Sequence, residues 1–398
     1  MEAPSVLRTA DFSPGDLRTR ARAVATIAAN NAVEVDNASR FPAEAAAALK
    51  EQRLLGIMVS RDLGGEGAGI SEVADICYLL GQACSSTAMI YAMHQIKVAC
   101  VTRHMGTNAV LANMMRRLCA EQLLLASSTT EGHSGGNVRS SEAPVEHVDG
   151  RISLDRKASV ISYGAYADGI VTTARRSADA AGSDQVLIAF LQSDYTLTRL
   201  QGWNTLGMRG TCSEGYTLKA TGEAGQILPE PYEMIHAQTM VPFAHLLWGS
   251  VWTGIAAGAT ARAQSFIRQA MRTSNGQLPP GAPQFTKALQ SLRTLRGMLA
   301  NSMRAYESRM GDAKALAAVD FQSLITLTKV EASELAVSVV MSAMRACGLS
   351  GYRSDGDFTI GRYLRDVLSS PIMINNDRIL ANLASSSLMT PIPTSMRD

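Results

Sequence analysis

The 398-residue chain is long enough for two or three structural units, and 46% of its residues are hydrophobic while only 18% are charged. A formal net charge of +2 excludes the basic surface that nucleic-acid binding requires. The apolar runs stay below the ~18 residues of a membrane span, and the six scattered cysteines show no metal-ligand spacing. We therefore expect a cytoplasmic protein with no metal site, no nucleic-acid partner and no membrane contact.

The first part of the chain has the pattern of a helical domain. Pro42 stands where a helix can begin, because proline is tolerated in a first turn. Ser71 is a candidate N-cap for a later helix. The predicted helices cover residues 16–35, 43–52, 71–82, 87–104 and 108–125.

The pattern changes near Ala126. Short β-branched runs, separated by turn residues such as Asp149-Gly150, favour an antiparallel meander. These runs cover residues 145–154, 158–162, 169–173, 185–191 and 216–219.

Long helical patterns return after Pro242, over residues 243–272, 283–310, 319–346 and 376–387. The order of elements predicts an α+β fold. We expect an N-terminal helical domain over residues 1–125, a middle antiparallel β domain over residues 126–235 and a C-terminal four-helix bundle over residues 236–398.

Four segments carry more specific information. A loop with Thr130-Glu131 and several glycines precedes the β region, and a Lys-Ala-Ser-Val-Ile-Ser-Tyr-Gly run follows at residues 157–164. A Gly-Met-Arg-Gly turn begins at Gly207, and an Arg-Asp pair at Arg365 follows a glycine-rich turn. Together with the order of elements, these segments resemble the acyl-CoA dehydrogenases, a family of flavoproteins, over nearly the whole chain.

The resemblance implies a flavin site with FAD as the cofactor. Thr129, Thr130 and Gly135 stand in the loop whose small residues let backbone N–H groups approach the flavin. Ser162 takes the place of a family threonine whose hydroxyl lies near flavin N5. Val160 replaces a tryptophan that packs on the flavin in relatives, which is a departure from the pattern.

Two residues of the C-terminal region resemble family residues that reach the FAD of a neighbouring subunit. These are Arg272, whose planar cation suits a pyrophosphate, and Gln284. The resemblance therefore implies a homo-oligomer, a dimer or a homotetramer, with a cofactor site that spans two chains. FMN remains an alternative, although this pair favours FAD.

The catalytic base of the family is missing. A glutamate about nine residues after the Arg removes the substrate α-proton in many relatives, and here that position is Ile374, which cannot accept a proton. A second family position falls on Ala244.

Three nearby residues are candidates for a displaced base. They are His245, Asp377 and His94. Each also has a structural interpretation: a packed histidine for His245 and His94, and a helix N-terminal acid capped by Asn375 or Asn376 for Asp377.

Three functions follow from the resemblance. The first is a flavin-dependent oxidoreductase of CH–CH donors that dehydrogenates an acyl-CoA, or another acyl thioester, between its α and β carbons and passes electrons to a partner. The second is a two-component flavin-dependent monooxygenase of the same fold, which receives reduced flavin from a reductase. The third is a catalytically silent paralogue that binds an acyl thioester. The sequence leaves the acyl chain length open.

Overall fold

The computed structural model describes residues 16–131, 140–389, 392 and 394–395. Helices come first, two β-sheets follow and long helices complete the chain, so the predicted α+β fold class is confirmed. The N-terminal helices are α1 Leu17–Ala38, α2 Ala43–Glu51, α3 Ile70–Ala83, α4 Ser85–His104 and α5 Ala109–Glu121.

The ends of these helices follow local chemistry. The Asn108 side chain accepts hydrogen bonds from Val110 N and Leu111 N and so caps α5. The prediction that α5 continues to residue 125 is wrong, because Gln122 adopts a left-handed conformation that ends the helix. Ser71 does not cap α3 either, because that helix begins one residue earlier, after Gly69.

The middle strands form two sheets. Their bounds are β1 Leu125–Ser128, β2 Glu146–Val148, β3 Arg151–Ile161, β4 Gly169–Arg175, β5 Gln185–Leu191, β6 Tyr195–Gln201 and β7 Glu214–Glu223. One sheet has the order β1-β4-β5 and the other the order β2-β3-β7-β6. Asp149 and Gly150, both with positive φ, make the tight turn between β2 and β3.

The prediction of a simple antiparallel meander needs a correction. The four-stranded sheet is antiparallel, but β1 pairs with β4 in parallel. The chain leaves β1 to build β2 and β3 in the other sheet before it returns as β4, and this crossover lets the two strands run in the same direction.

The C-terminal part is helical. Its elements are α6 Tyr232–Ile235, a π-helical turn His236–Met240, α7 Val241–Thr273, α8 Ala282–Glu307, α9 Ala313–Ala317, α10 Val319–Cys347, α11 Leu349–Tyr352, α12 Gly361–Val367 and α13 Asn376–Met389. Within the described part of the chain, one helical stretch, Tyr232–Thr273, is long and apolar enough to cross a membrane, but 94% of its most apolar window is buried. That burial is typical of a core helix.

Two glycines allow α3 and α7 to cross at close range. A Cβ atom at Gly81 would lie 2.6 Å from the Val251 carbonyl oxygen and 3.1 Å from the Cα of Gly254. A Cβ atom at Gly254 would collide with the Tyr78 carbonyl. Backbone therefore packs against backbone at this crossing, and any side chain would separate the helices.

We expect Gly254→Ala to lower the free energy of unfolding by about 1–3 kcal/mol, because the added methyl group overpacks the crossing. Gly297 provides the matched control, since it is exposed on α8 with open space around its Cα. Gly297→Ala is expected to stabilise the protein by roughly 0.5–1 kcal/mol. Chemical denaturation of both variants tests this, and a Gly254→Ala protein as stable as the parent would contradict it.

Candidate active site

An Arg-Asp clamp joins the sheets to the C-terminal helices. The Met208 N–H, in the loop between β6 and β7, donates to Oδ1 of Asp366 on α12 at 2.7 Å. Arg365 Nε donates to the Leu206 carbonyl at 3.1 Å, and its guanidinium also pairs with Asp36 of α1. The clamp therefore fixes this loop from two adjacent side chains.

A row of three hydroxyls leads from this loop to the end of β3. Thr211 Oγ1 donates to the Met208 carbonyl at 2.8 Å and lies 2.7 Å from Ser213 Oγ. Ser213 Oγ donates to Ser162 Oγ at 2.8 Å. Ser162 Oγ thus accepts a hydrogen bond from Ser213. Among the described residues, no acceptor binds the O–H of Ser162 itself. The buried Ser162 can therefore donate to a ligand at the boundary between the sheets and the C-terminal helices, which we call the seam.

The loop after β1 approaches the same sheet. Thr129 and Thr130 are half-buried, and the preceding Ser128 hydroxyl is buried with no partner in the described part of the chain. Glu131 ends the described part of this loop, where its carboxylate accepts from Ser141 Oγ at 2.9 Å. Gly135 lies outside the described residues.

Ile374, the residue that the sequence analysis assigns to the missing base, has a φ of +50°. A β-branched residue avoids this left-handed conformation unless its surroundings impose it. Lys329 of α10 donates to the Ile374 carbonyl at 3.3 Å and to Asn376 Oδ1 at 2.7 Å, and so binds this segment at two points. Its Nζ also lies 5.6 Å from the ring centroid of Trp252.

Lys329 is completely buried, and burial lowers its pKa to about 8. The sequence analysis missed this residue. A lysine inside the apolar pattern of α10 was the available signal, since a solvated lysine belongs on the polar face of such a helix.

His245 lies on α7, next to Ala244, with 5% of its surface exposed. Burial first, and then the positive charge of Lys329, lower the pKa of His245 to about 3. The imidazole is therefore neutral at working pH. Its Nδ1 is buried and has no hydrogen-bond partner among the residues that the structure describes.

The other two candidate bases have structural surroundings. Both ring nitrogens of His94 bind backbone: Nε2 lies 2.8 Å from the Leu55 carbonyl, and Nδ1 accepts from Leu125 N at 2.9 Å. Asp377 is exposed on the first turn of α13, which Asn375 caps by accepting from the N–H of Arg378 at 3.2 Å. These contacts favour the structural interpretation for both residues, and a catalytic role of Asp377 stays a prediction.

Arg272 and Gln284 lie apart from this seam. Arg272 is exposed near the end of α7, in a groove of about 390 Å³. It is 27 residues beyond His245, or about 40 Å along the helix axis, so one chain does not bring these two side chains together. Gln284 is half-buried on the first turn of α8, and its Oε1 has no partner in the described ranges.

The larger of the two described surface grooves is not part of this seam. It has a volume of about 470 Å³ and crosses the outer face of the four-stranded sheet, where Asp155, Tyr195 and Lys219 line it. None of the predicted site residues contributes to its lining. Contacts across the seam, rather than groove size, therefore define the candidate site.

The Asp366 carboxyl of the clamp makes the stability of the protein depend on pH. Burial raises the pKa of the Asp366 carboxyl, and the charge of Arg362 partly opposes this. The folded state therefore holds the proton more tightly than the unfolded state does. The contribution of this carboxyl to the free energy of unfolding is complete below its unfolded pKa, and it is lost as the pH rises through the folded pKa. An asparagine side chain at this position would accept the same hydrogen bond without titrating. We therefore expect Asp366→Asn to gain stability relative to the parent protein between about pH 4 and pH 7.

Asp366→Ala is the comparison, because it leaves Met208 N–H unpaired and is expected to cost about 1–3 kcal/mol across this range. Urea denaturation at several pH values measures both variants. An Asp366→Asn protein that is clearly less stable than the parent at neutral pH would show that the ionised carboxylate is needed.

Comparison with known proteins identifies the family. The model for "Acyl-CoA dehydrogenase, N-terminal domain" matches residues 16–122, and that for "Acyl-CoA dehydrogenase, C-terminal domain" matches residues 253–388. Cyclohex-1-ene-1-carbonyl-CoA dehydrogenase from Geobacter metallireducens is 25% identical over 374 residues, which cover 91% of this chain and 94% of that protein.

Two further similar proteins, SfnC and the dibenzothiophene monooxygenase TdsC, are named as monooxygenases. The probable FMNH2-dependent monooxygenase SfnC from Pseudomonas putida is 24% identical over 259 residues, which cover 63% of this chain and 62% of that protein. The crystal structure of FMN-bound TdsC from Paenibacillus sp. A11-2 aligns with a TM-score of 0.83 at 18% identity, over 95% of this chain and 98% of that chain. This likeness confirms the fold. With matching domains on both sides of the sheets, the chain belongs to the acyl-CoA dehydrogenase family of flavin-dependent oxidoreductases.

Proposed function

We propose that the protein dehydrogenates an acyl thioester between its α and β carbons, with His245 as the proton acceptor. The observation that carries this proposal is the buried Nδ1 of His245, a neutral nitrogen with no partner in the described ranges. It lies beside Ala244 and within the electrostatic reach of Lys329, which holds Ile374. The imidazole thus follows one position where relatives place a carboxylate, and the charge of the lysine that binds the other position reaches it.

The residues at the seam fit a flavin. Ser162 has an uncommitted O–H, and the orphaned hydroxyl of Ser128 precedes the half-buried Thr129 and Thr130. Hydroxyl donors of this kind suit the acceptor-rich edge of an isoalloxazine ring. A flavin bound there would supply the hydride acceptor for the β-carbon.

The proton chemistry belongs to the chain itself. Because the imidazole is neutral, it has a lone pair available for the α-proton. Its pKa of about 3 makes it a weaker acceptor than a carboxylate whose pKa is raised by burial. The positive charge of Lys329 lowers that pKa and at the same time favours negative charge on the thioester enolate.

We propose a homo-oligomer with FAD shared between protomers. The exposed Arg272 and the unsatisfied Oε1 of Gln284 would bind the pyrophosphate side of a neighbour's cofactor. Exposed apolar side chains along α10, including Leu324, Leu327 and Met341, support burial against another copy. TdsC is described as FMN-bound, so FMN is the alternative cofactor.

A flavin-dependent monooxygenase is the second candidate. The missing carboxylates at Ile374 and Ala244 favour it, because oxygenation does not require removal of an α-proton by a strong base. In that case a reductase partner supplies reduced flavin. Anaerobic addition of acyl-CoA thioesters separates the two: loss of the flavin absorbance supports dehydrogenation, whereas turnover only with a reductase and oxygen supports oxygenation. Absence of flavin uptake under any condition would leave the silent acyl-binding paralogue.

We expect His245→Gln to slow anaerobic flavin reduction by about 10²–10⁴-fold, the usual contribution of a general base, with the flavin spectrum unchanged. The parent rate should have no acidic limb between about pH 5 and pH 8, because the pKa of His245 lies near 3. Asp377→Asn is the control and should retain the parent rate. Stopped-flow absorbance measures all three proteins, and a His245→Gln rate equal to that of the parent rejects this base.

We also expect Arg272→Ala to lower flavin occupancy about tenfold or more, because a charge-assisted contact to the pyrophosphate is lost. Arg268→Ala is the matched control and should keep the parent occupancy, since Arg268 is also exposed and lines the same groove. The ratio of flavin to protein absorbance after gel filtration is the measurement. Equal occupancy in the two variants would count against a shared site.

A further inference from the structure

Lys97 is a buried cation without an anion. It lies on α4 with 3% of its surface exposed, and its Nζ donates to the thioether of Met240 at 2.9 Å. A thioether is a weak, neutral acceptor. Among the described residues, no carboxylate lies within ion-pair distance of this amine. Burial lowers the pKa of Lys97 to about 8, so the amine is still mostly charged at neutral pH.

Lys97 differs from Lys329 in its hydrogen-bond partners. Lys329 is equally buried, but two oxygen acceptors and the Trp252 ring satisfy it. Within the described ranges the hydrogen-bond partner of Lys97 is the Met240 thioether, and Cys100 Sγ lies 3.9 Å from that same sulfur. An unpaired buried charge is costly, and proteins ordinarily pair such groups. A ligand that supplies an anion would remove this cost.

A second unsatisfied donor lies in the same region. The hydroxyl of Tyr232 is buried and has no partner in the described part of the chain. Burial is the main cause that raises the pKa of Tyr232, and the Cys100 thiol is the second. Lys97 lowers the pKa of that same thiol. Both groups therefore lie within electrostatic reach of Cys100. Tyr232 begins the short helix before the π-helical turn and Met240 is the last residue of that turn, a distortion often found at functional sites.

Helix α4 runs from the seam to this region. Helix α4 begins beside the loop between β6 and β7, where Gly210 packs against Ser86. Met89, Met93 and Lys97 follow at intervals of four residues, which places them along one stripe of the helix. Lys97 lies 12 residues after Ser85, or about 18 Å along the axis, and its side chain leans back towards the seam. Methionines form an adaptable lining for an alkyl chain.

We propose that Lys97 and the Tyr232 hydroxyl bind a carboxylate at the far end of the substrate, so that the substrate is the thioester of a dicarboxylic acid. This inference rests on the proposed function for the thioester end. The carboxylate accepts one hydrogen bond from the ammonium group and one from the phenol. The methylene chain between the two ends lies along the methionine stripe.

The test compares matched ligands on the flavin-loaded protein. Adipyl-, suberyl- and sebacyl-CoA are each paired with the acyl-CoA of equal length that ends in a methyl group, and dissociation constants are measured by titration calorimetry. We expect the parent protein to bind the carboxylate member of at least one pair tenfold or more tightly. Lys97→Met should abolish this preference, and Tyr232→Phe should reduce it severalfold. Lys287→Met removes the same charge from an exposed position of α8 and should retain the preference.

Thermal unfolding separates binding from a structural role. Without ligand, Lys97→Met should melt at the parent temperature or higher, because it removes an uncompensated buried charge. Free suberate should raise the melting temperature of the parent protein more than octanoate does, and should not do so in Lys97→Met.

Each outcome decides between the proposals. Carboxylate preference through Lys97 without flavin reduction would leave this site in place and reject dehydrogenation. Stabilisation by suberate alone, without thioester binding, would identify a free dicarboxylate as the ligand. Equal behaviour of the parent and Lys97→Met towards both ligand series, or a marked loss of stability in the variant, would overturn the site.

Discussion

The hydrogen bond from Met208 N–H to the buried Asp366 carboxylate is the contact on which the candidate site depends. It ties a loop between two strands to a helix of the C-terminal region, and the neighbouring Arg365 holds the same loop from its other side. Because Thr211 binds the Met208 carbonyl and continues the row of hydroxyls, the position of Ser162 follows from this clamp. The Arg365-Asp366 pair, which identifies this region in the sequence, thus holds the loop in position. It sets the distance between the sheet that would face a flavin and the helices that would face a substrate.

Local chemistry predicted most of the helices, because their caps and apolar periodicity are encoded within a few residues. The errors have long-range causes. The parallel pairing of β1 with β4 depends on a crossover that no local pattern records. Strand β6 was missed because it is an edge strand whose half-buried face has only two apolar residues, Tyr195 and Leu197, before Arg199 interrupts it. The end of α5 depends on one left-handed residue, Gln122, which glycine or asparagine would have signalled and glutamine does not.

Motif spacing selected positions such as Ser162 and His245, whose roles stay predictions. It could not give the hydrogen bond of Ser162 or the charge that acts on His245, because Ser213 and Lys329 come from distant parts of the chain. The two buried lysines were overlooked for a physical reason. A lysine in a helical pattern normally points its ammonium group to water, so composition alone gives no cause to bury Lys97 or Lys329. Only the packing of α4 and α10 against α7 reveals that both amines lie in the interior.

The loss of a carboxylate base and the presence of Lys329 have to be considered together, because both change the electrostatic potential at the seam in the same direction. The positive charge of Lys329, which binds the Ile374 carbonyl, weakens His245 as a proton acceptor. In the proposed dehydrogenation the same charge would stabilise the enolate that proton removal creates. These effects oppose one another, and Coulomb energy falls with distance, so the nearer group is affected more. The proposed proton transfer would therefore be favoured only if the thioester oxygen lay closer to Lys329 than the imidazole does. That condition would orient the thioester carbonyl towards the Ile374 segment and leave the α-carbon facing α7, where Nδ1 of His245 has no other partner within the described residues.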